Sequence, residues 1–202
     1  MFGFTQSELN VLRRLSTPAK IQDFLNALPF NKEKGGETCM SPRRVLRARR
    51  AHCLEGAMLA AAALGLHEKP MLLLDLRSAA HDHDHVVALF RERGRWGAVS
   101  KTNHAVLRYR DPVYKTVREL AMSYFHEYFL DDGEKTMRSY SKPFSLARFN
   151  KRNWMTDERD LWHIGDALDK SPHFPIAPLS TLKRLRSADK IELKAGDIVE
   201  WK

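Results

Sequence analysis

The sequence predicts an α+β fold in which a buried helix packs on a small antiparallel sheet. Residues 53–65 form an almost wholly apolar run in which Glu55 is the one charged residue. A helix of that composition must be buried on nearly every side. Three apolar runs of strand length follow it, at residues 71–76, 85–90 and 95–100.

Composition is that of an ordinary globular protein. Apolar residues make up 43% of the chain and charged residues 29%, which indicates neither disorder nor membrane insertion. The sequence has no apolar run of 18 residues and no basic segment leading into an apolar core at its start, so we expect no membrane span and no signal peptide. We therefore expect a cytoplasmic protein. The length of 202 residues suits a core domain over 1–133 and a mainly helical C-terminal extension or subdomain over 134–202.

Three helical segments are predicted before the buried helix. Apolar residues at helical spacing over residues 5–28 indicate two helices, with Pro18 starting the second. Ser41 then has the character of an N-cap, followed by Pro42 at the first helical position. A short basic helix should run from there to about Arg50.

The strands after the buried helix predict a β-hairpin. If its loop is residues 91–94, Ser100 lies directly across from His85, and a two-residue loop would place Thr102 there instead.

Less regular patterns fill the rest of the chain. We expect a helix over 112–130 with an aromatic core face, a helix from Thr156 to Leu168, and one or two edge strands within 189–201.

The start of the buried helix is the strongest chemical signal. A thiol at Cys53 would face the unpaired backbone N–H groups and the positive end of the helix dipole, both of which favour thiolate. His85 opens a strand and is placed to bring a base to the sulfur. His52 is a weaker candidate base, because neighbouring helical residues point about 100° apart. Cys39 is expected to be structural, and Glu55 to pair with an arginine of residues 43–50.

Several short motifs together resemble the transglutaminase-like superfamily, whose fold is papain-like. They are Arg49-Arg50-Ala51-His52-Cys53, the alanine-rich stretch from Ala57 to Gly65, His85-Val86-Val87, and Trp96-Gly-Ala-Val-Ser100. The resemblance covers about residues 18–105, roughly half of the chain.

The resemblance implies that Cys53, His85 and Ser100 are the catalytic residues. The thiolate would attack an amide or ester carbonyl of a peptide or amide substrate, with water or an amine as the acceptor and no cofactor or metal. Ala51 replaces a common glycine, and Ser100 replaces the usual aspartate, so the base would lack its negative partner. Asn103 is a possible replacement.

Asp82 and Asp84 are further possible replacements, and two other functions stay open. One is a catalytically inactive module of the same fold that binds partners through a basic surface. That surface would comprise Arg43, Arg44, Arg47, Arg49 and Arg50, which we interpret as a solvated helix face in preference to a nucleic-acid site. The other is a metal site, since His81, His83 and His85 would share one face of an extended chain.

Overall fold

The computed structural model describes residues 3–202 and has the expected α+β class, with one antiparallel sheet and helices on both of its faces. Within those residues seven strands form the sheet. They are β1 (Leu72–Arg77), β2 (His85–Glu92), β3 (Arg95–Ser100), β4 (Arg110–Tyr114), β5 (Ser139–Ser141), β6 (Phe144–Ser145) and β7 (His173–Pro175). The helices are α1 (Gln6–Arg14), α2 (Pro18–Asn26), α3 (Pro42–Ala48), α4 (Cys53–Leu66), α5 (Val117–Met122), α6 (Trp162–Asp169), α7 (Leu179–Leu182) and α8 (Lys190–Gly196).

The predicted starts of the first helices are confirmed. Thr5, Thr17 and Ser41 are extended N-cap residues, and each side chain accepts a hydrogen bond from a backbone N–H in the first turn. Pro18 and Pro42 occupy the first helical position, where the missing N–H has no intrahelical partner to lose.

Helix α4 is the buried helix, and Cys53 is its first residue. It lies against one face of the sheet. Gly56 allows the close approach of the chain after β3, because a Cβ at this position would lie 2.5 Å from the Cβ of Lys101. The start of α4 is thereby held next to the end of β3.

The sheet order is β4-β3-β2-β1-β5-β7, with β6 also paired to β1. The hairpin loop is the two residues Arg93 and Gly94, because Glu92 pairs with Arg95. The register predicted for a four-residue loop, with Ser100 directly across from His85, is therefore wrong. The alternative of a two-residue loop is the one observed, and Ser100 pairs with Val87. Since His85 and Val87 are two residues apart, the His85 and Ser100 side chains remain on one face as diagonal neighbours.

Alternating strand residues build two apolar cores. Val86, Ala88 and Val99 face a core that includes α1 to α4 and α6. Val87 and Leu89 face the opposite core, which includes α5 and the aromatic residues that follow it. The site at the start of α4 lies where the strands enter these two layers.

The predicted long helix over 112–130 is wrong in its first part. Pro112 lies in the outer strand β4, where a missing N–H is tolerated, and only Val117–Met122 is α-helical before a short 3-10 turn. Tyr124 and Tyr128 are buried, as expected of a core face.

Two predictions later in the chain also need correction. Most of the segment predicted to hold edge strands within 189–201 is instead α8, which begins with a reciprocal capping box between Asp189 and Glu192, and only Val199 forms an antiparallel bridge, with His104. The helix predicted from Thr156 begins only at Trp162.

Residues after 133 share the sheet and the core of the residues before it. They supply β5, β6 and β7, and Ile164 and Leu168 of α6 pack in the same core as α4. This part therefore contains both strands and helices. No helix formed within residues 3–202 has the length and apolar character needed to cross a bilayer.

Candidate active site

Cys53 lies in a cleft of about 610 Å³ that is lined by the start of α4, the loop before β2, the segment after β3 and residues near α8. Its thiol is partly exposed, and its sulfur lies 3.9 Å from the backbone carbonyl oxygen of Asp84. The thiol is therefore accessible from the cleft and adjacent to the start of β2, as the sequence predicts.

His85 is buried at the start of β2, and its Nε2 lies 2.8 Å from the Ser100 hydroxyl oxygen. That hydroxyl donates its only proton to the carbonyl oxygen of Leu107 at 2.6 Å. It must therefore accept from Nε2–H of His85, which leaves Nδ1 as the ring nitrogen available to the sulfur. Gln22 fixes Ser100 further, since its side chain accepts from the Ser100 N–H and donates to the Ser100 carbonyl.

His52 also interacts with the thiol, where it supplies positive charge, although the sequence made it a weaker candidate base than His85. It is the N-cap of α4 with an extended backbone, so helical spacing does not govern where its ring lies. Its Nε2 is 2.9 Å from the Thr38 carbonyl oxygen and 3.4 Å from Glu55 Oε1. The thiol of Cys53 consequently interacts with two imidazoles, those of His52 and His85.

The two imidazoles decide the charge state of Cys53. Burial raises the pKa of the thiol, but hydrogen bonds from His52 and His85, together with the positive charges of both rings, lower it overall to about 5. Burial lowers the pKa of His52, but the Cys53 thiolate, the Glu55 carboxylate and the Thr38 carbonyl raise it overall to about 9. At neutral pH the arrangement therefore favours a thiolate next to an imidazolium.

Glu55 is fully buried and does not pair with an arginine, contrary to the sequence-based expectation. Its carboxylate accepts hydrogen bonds from four donors, which are the Asn31 side-chain amide, the Thr38 hydroxyl, and the backbone N–H groups of Met40 and His52. These bonds compensate for the lost hydration of the charge. The carboxylate also supports the positive charge of His52.

Cys39 lies in a different environment from Cys53. It is fully buried, and both cysteines are free thiols. Burial, with the nearby negative charge of Glu55, raises the pKa of Cys39 to about 12. A structural role for Cys39 agrees with this environment.

The three residues considered as substitutes for the missing aspartate are engaged elsewhere. The Asn103 side chain donates to the Trp201 carbonyl and accepts from its N–H. Asp84 Oδ1 accepts from the Ser78 N–H at 2.7 Å, and Asp82 accepts from the Thr136 hydroxyl. Ser100 is thus the side chain that orients His85.

The predicted histidine metal site does not assemble. His81 contacts Glu134 and His85 contacts Ser100, so the rings do not converge. Across residues 3–202, the only set of three or more potential ligands lying within 4.8 Å of one another consists of the carboxylates of Asp75, Asp84 and Asp169.

A positively charged side chain of the protein already lies beside these three carboxylates. The Arg77 guanidinium lies 3.9 Å from Asp75 and 3.8 Å from Asp84, where it supplies positive charge.

The basic helix is less available than its sequence indicates. Arg43 and Arg47 both pair with Glu8, and Arg44 pairs with Asp160 at 2.7 Å. Arg49 lies over the Phe24 ring. These contacts use most of the residues that formed the predicted basic surface.

No protein-family model matches this chain, and a search of curated proteins finds no match either. The functional argument therefore rests on the geometry around Cys53.

Proposed function

We propose that this chain is a transglutaminase-like thiol enzyme in which Cys53 forms an acyl-enzyme by attack on an amide or ester carbonyl. The observation that carries the proposal is a partly exposed cysteine at the first turn of a buried helix, with the imidazoles of His52 and His85 both interacting with its thiol. Free cysteines that serve only as packing groups are buried and inert, as Cys39 is.

His85 acts as the base and then as the acid. Since Ser100 accepts from Nε2–H, Nδ1 holds the proton that Cys53 gives up when the thiolate forms and later delivers it to the leaving nitrogen or oxygen. The bond from sulfur to the carbonyl carbon forms first, and the bond to the leaving group then breaks. In the second step, His85 takes a proton from water or an amine as that nucleophile attacks the thioester, and the carbon–sulfur bond breaks to release the acyl product and restore the Cys53 thiolate.

The start of α4 is suited to the developing oxyanion. The first N–H groups of a helix have no intrahelical acceptor, and the dipole favours negative charge there. The N–H of His52 is already bonded to Glu55, so the N–H of Cys53 is the donor nearest to the reacting carbon. This donor would stabilise the tetrahedral intermediate.

The arrangement of elements supports the family resemblance. A helix that begins with the nucleophile packs on antiparallel strands, and the first residue of one of these is the histidine. Ser100, at the end of the adjacent strand, holds the histidine ring as the aspartate does in the resembled family. The hydroxyl sets the tautomer but supplies no negative charge, so the base is weaker.

Burst kinetics with p-nitrophenyl acetate test the proposal. We expect a burst of p-nitrophenolate and an acetyl adduct on Cys53, identified by peptide mapping. Cys53→Ala should abolish both, while the matched variant Cys39→Ala should retain both. Absence of a burst and of the adduct in the unmodified protein would overturn the proposal.

An inactive binding module is the second candidate, and the serine in place of aspartate favours it. Its predicted basic surface is weakened, because Arg43, Arg44 and Arg47 are ion-paired within the chain. The burst experiment separates the two candidates, since a module without catalysis forms no acyl-enzyme.

A further inference from the structure

The cleft around Cys53 has the opposite charge to the protein as a whole. The chain carries 34 lysines and arginines against 25 aspartates and glutamates. The cleft, in contrast, is lined by six carboxylates and two lysines. The carboxylates are Glu33, Asp82, Asp84, Glu127, Asp131 and Asp197.

Three of these carboxylates are engaged by groups of the protein. Asp82 and Asp84 accept hydrogen bonds from Thr136 and Ser78, and Glu127 pairs with Arg110 at 2.7 Å. A fourth, Glu33, accepts from the Thr38 N–H at 2.6 Å. These four are part of the walls of the cleft.

Asp131 and Asp197 differ from the other four. Both are exposed, and neither carboxylate has a hydrogen bond or an ion pair with any group of residues 3–202. Asp131 precedes Gly133 in a turn, and Asp197 follows α8, so two separate segments place free negative charge on one cleft.

Neither of the two lysines forms an ion pair with Asp131 or Asp197 within the described residues 3–202. Lys101 is buried, and its Nζ donates to the carbonyl oxygens of Leu25 and Leu28 at 3.0 and 2.5 Å, so its charge is directed to the end of α2. Lys32 is exposed on the loop before α3. The positive charge of the His52 imidazolium is balanced by the Cys53 thiolate beside it.

The remaining lining suits the stem of a long side chain. Val106, Leu107, Phe129, Leu130 and Leu193 supply apolar surface in the same cleft. A methylene chain can lie against such surface while its charged end meets carboxylates. The volume of about 610 Å³ is within the range of sites for small molecules and short peptides.

We propose that the cleft selects an acyl donor with a primary amine or guanidinium on the residue beside the reacting carbonyl, held against Asp131 and Asp197. This inference rests on the proposed thiol chemistry of Cys53. An exposed ion pair gives at most about a fivefold preference, so the two carboxylates together should give a preference on the order of tenfold.

Three peptidyl chloromethyl ketones that differ only in the residue next to the reactive carbon test this, with lysine, norleucine or glutamate at that position. Thiolate displaces chloride, and the second-order rate of Cys53 modification is read by intact-protein mass spectrometry. We expect lysine to react about tenfold faster than norleucine and glutamate to react slowest. The lysine advantage should shrink at about 1 M NaCl, where the Debye length is about 3 Å.

The double variant Asp131→Asn/Asp197→Asn should bring the ratio of lysine to norleucine rates close to one. The matched control Asp23→Asn/Asp111→Asn removes two exposed carboxylates from α2 and β4 and should keep the ratio. A ratio near one in the unmodified protein, or one unaffected by the Asp131 and Asp197 changes, overturns the charge inference. If norleucine reagent modifies Cys53 no faster than it modifies free 2-mercaptoethanol, the thiol-enzyme proposal fails instead.

Discussion

Cys53 and Cys39 are the same chemical group in opposite environments, and both lie near the start of α4. Cys53 is partly exposed, with two imidazoles at its sulfur, and its pKa is lowered to about 5. Cys39 is fully buried with the negative charge of Glu55 nearby, and its pKa is raised to about 12. The comparison shows that reactivity here is set by neighbouring cations and access to solvent, since both thiols are free.

The largest expected effect is a difference in alkylation rate between the two thiols. At about pH 6 Cys53 is mostly thiolate while Cys39 is not, and the thiolate is the form that reacts. We expect iodoacetamide to modify Cys53 at least ~1000-fold faster. Timed quenching followed by peptide mass spectrometry measures both rates in one sample. Similar rates would show that the two environments do not differ as described.

Ser100→Ala should lower the rate of acyl transfer by about 10- to 100-fold, because His85 loses the group that fixes its tautomer and orientation. The same change should leave the pH midpoint of Cys53 alkylation nearly in place, since both imidazoles remain. The p-nitrophenyl acetate burst and the alkylation profile are measured on the same preparation. Ser139→Ala, in β5 outside the cleft, is the control, and an equal loss in it would indicate a general structural effect.

His52→Ala should raise the pH midpoint of Cys53 alkylation by about 1 to 2 units, because the thiolate loses one hydrogen bond and one positive charge. His126→Ala, an exposed histidine on the 3-10 turn, should leave the midpoint unchanged. An unshifted midpoint in His52→Ala would assign the lowered pKa to His85 alone.

The opposite pKa shifts of Cys53 and His52 predict how the stability of the protein depends on pH. The folded pKa of Cys53 is lowered, so its contribution is complete above the unfolded value of about 8.5 and is lost as pH falls through about 5. The folded pKa of His52 is raised, so its contribution is complete below about 6.5 and is lost as pH rises through about 9. The midpoint temperature of thermal unfolding of His52→Ala should therefore differ most from that of the unmodified protein between about pH 5 and about pH 9. Equal pH dependence of both proteins would contradict the pairing.

The smallest expected effect belongs to Cys39→Ala, which removes one buried sulfur and should lower the free energy of unfolding by about 1 kcal/mol. Cys39→Ser should destabilise more, by about 1 to 3 kcal/mol, because it places a more strongly hydrated hydroxyl at a fully buried position. Urea titration measures both. If Cys39→Ala nearly keeps its free energy of unfolding but Cys53 is alkylated much more slowly, the two thiols are coupled.

Much of the local structure could be predicted because the signals are local. Ser41 and Pro42 mark a helix start, and the composition of residues 53–65 requires burial, so both were identified from the sequence. The class of the fold follows from the same patterns. Long-range pairing does not, which is why the sequence did not predict that β5 pairs with β1 and that β7 extends the sheet beyond β5.

The site was predicted in part. The pair of Cys53 and His85 follows from a helix start and a strand start, but the contact with His52 depends on the extended N-cap backbone of that residue. The hairpin register depends on whether two or four residues form the turn, and the Arg93-Gly94 pair was the signal for the shorter loop. The Asp189 and Glu192 capping box was a readable signal for α8 that the alternating pattern obscured.

The bond between Asn103 and the backbone of Trp201 has a practical consequence for handling the protein. Since Leu193, Gly196 and Asp197 line the cleft, a purification tag or fluorophore attached beyond Lys202 would emerge at its rim. Gly3, whose carbonyl accepts a hydrogen bond from Arg43 on α3, does not line the cleft. Immobilisation through the amino end is thus the arrangement that keeps the entrance unobstructed.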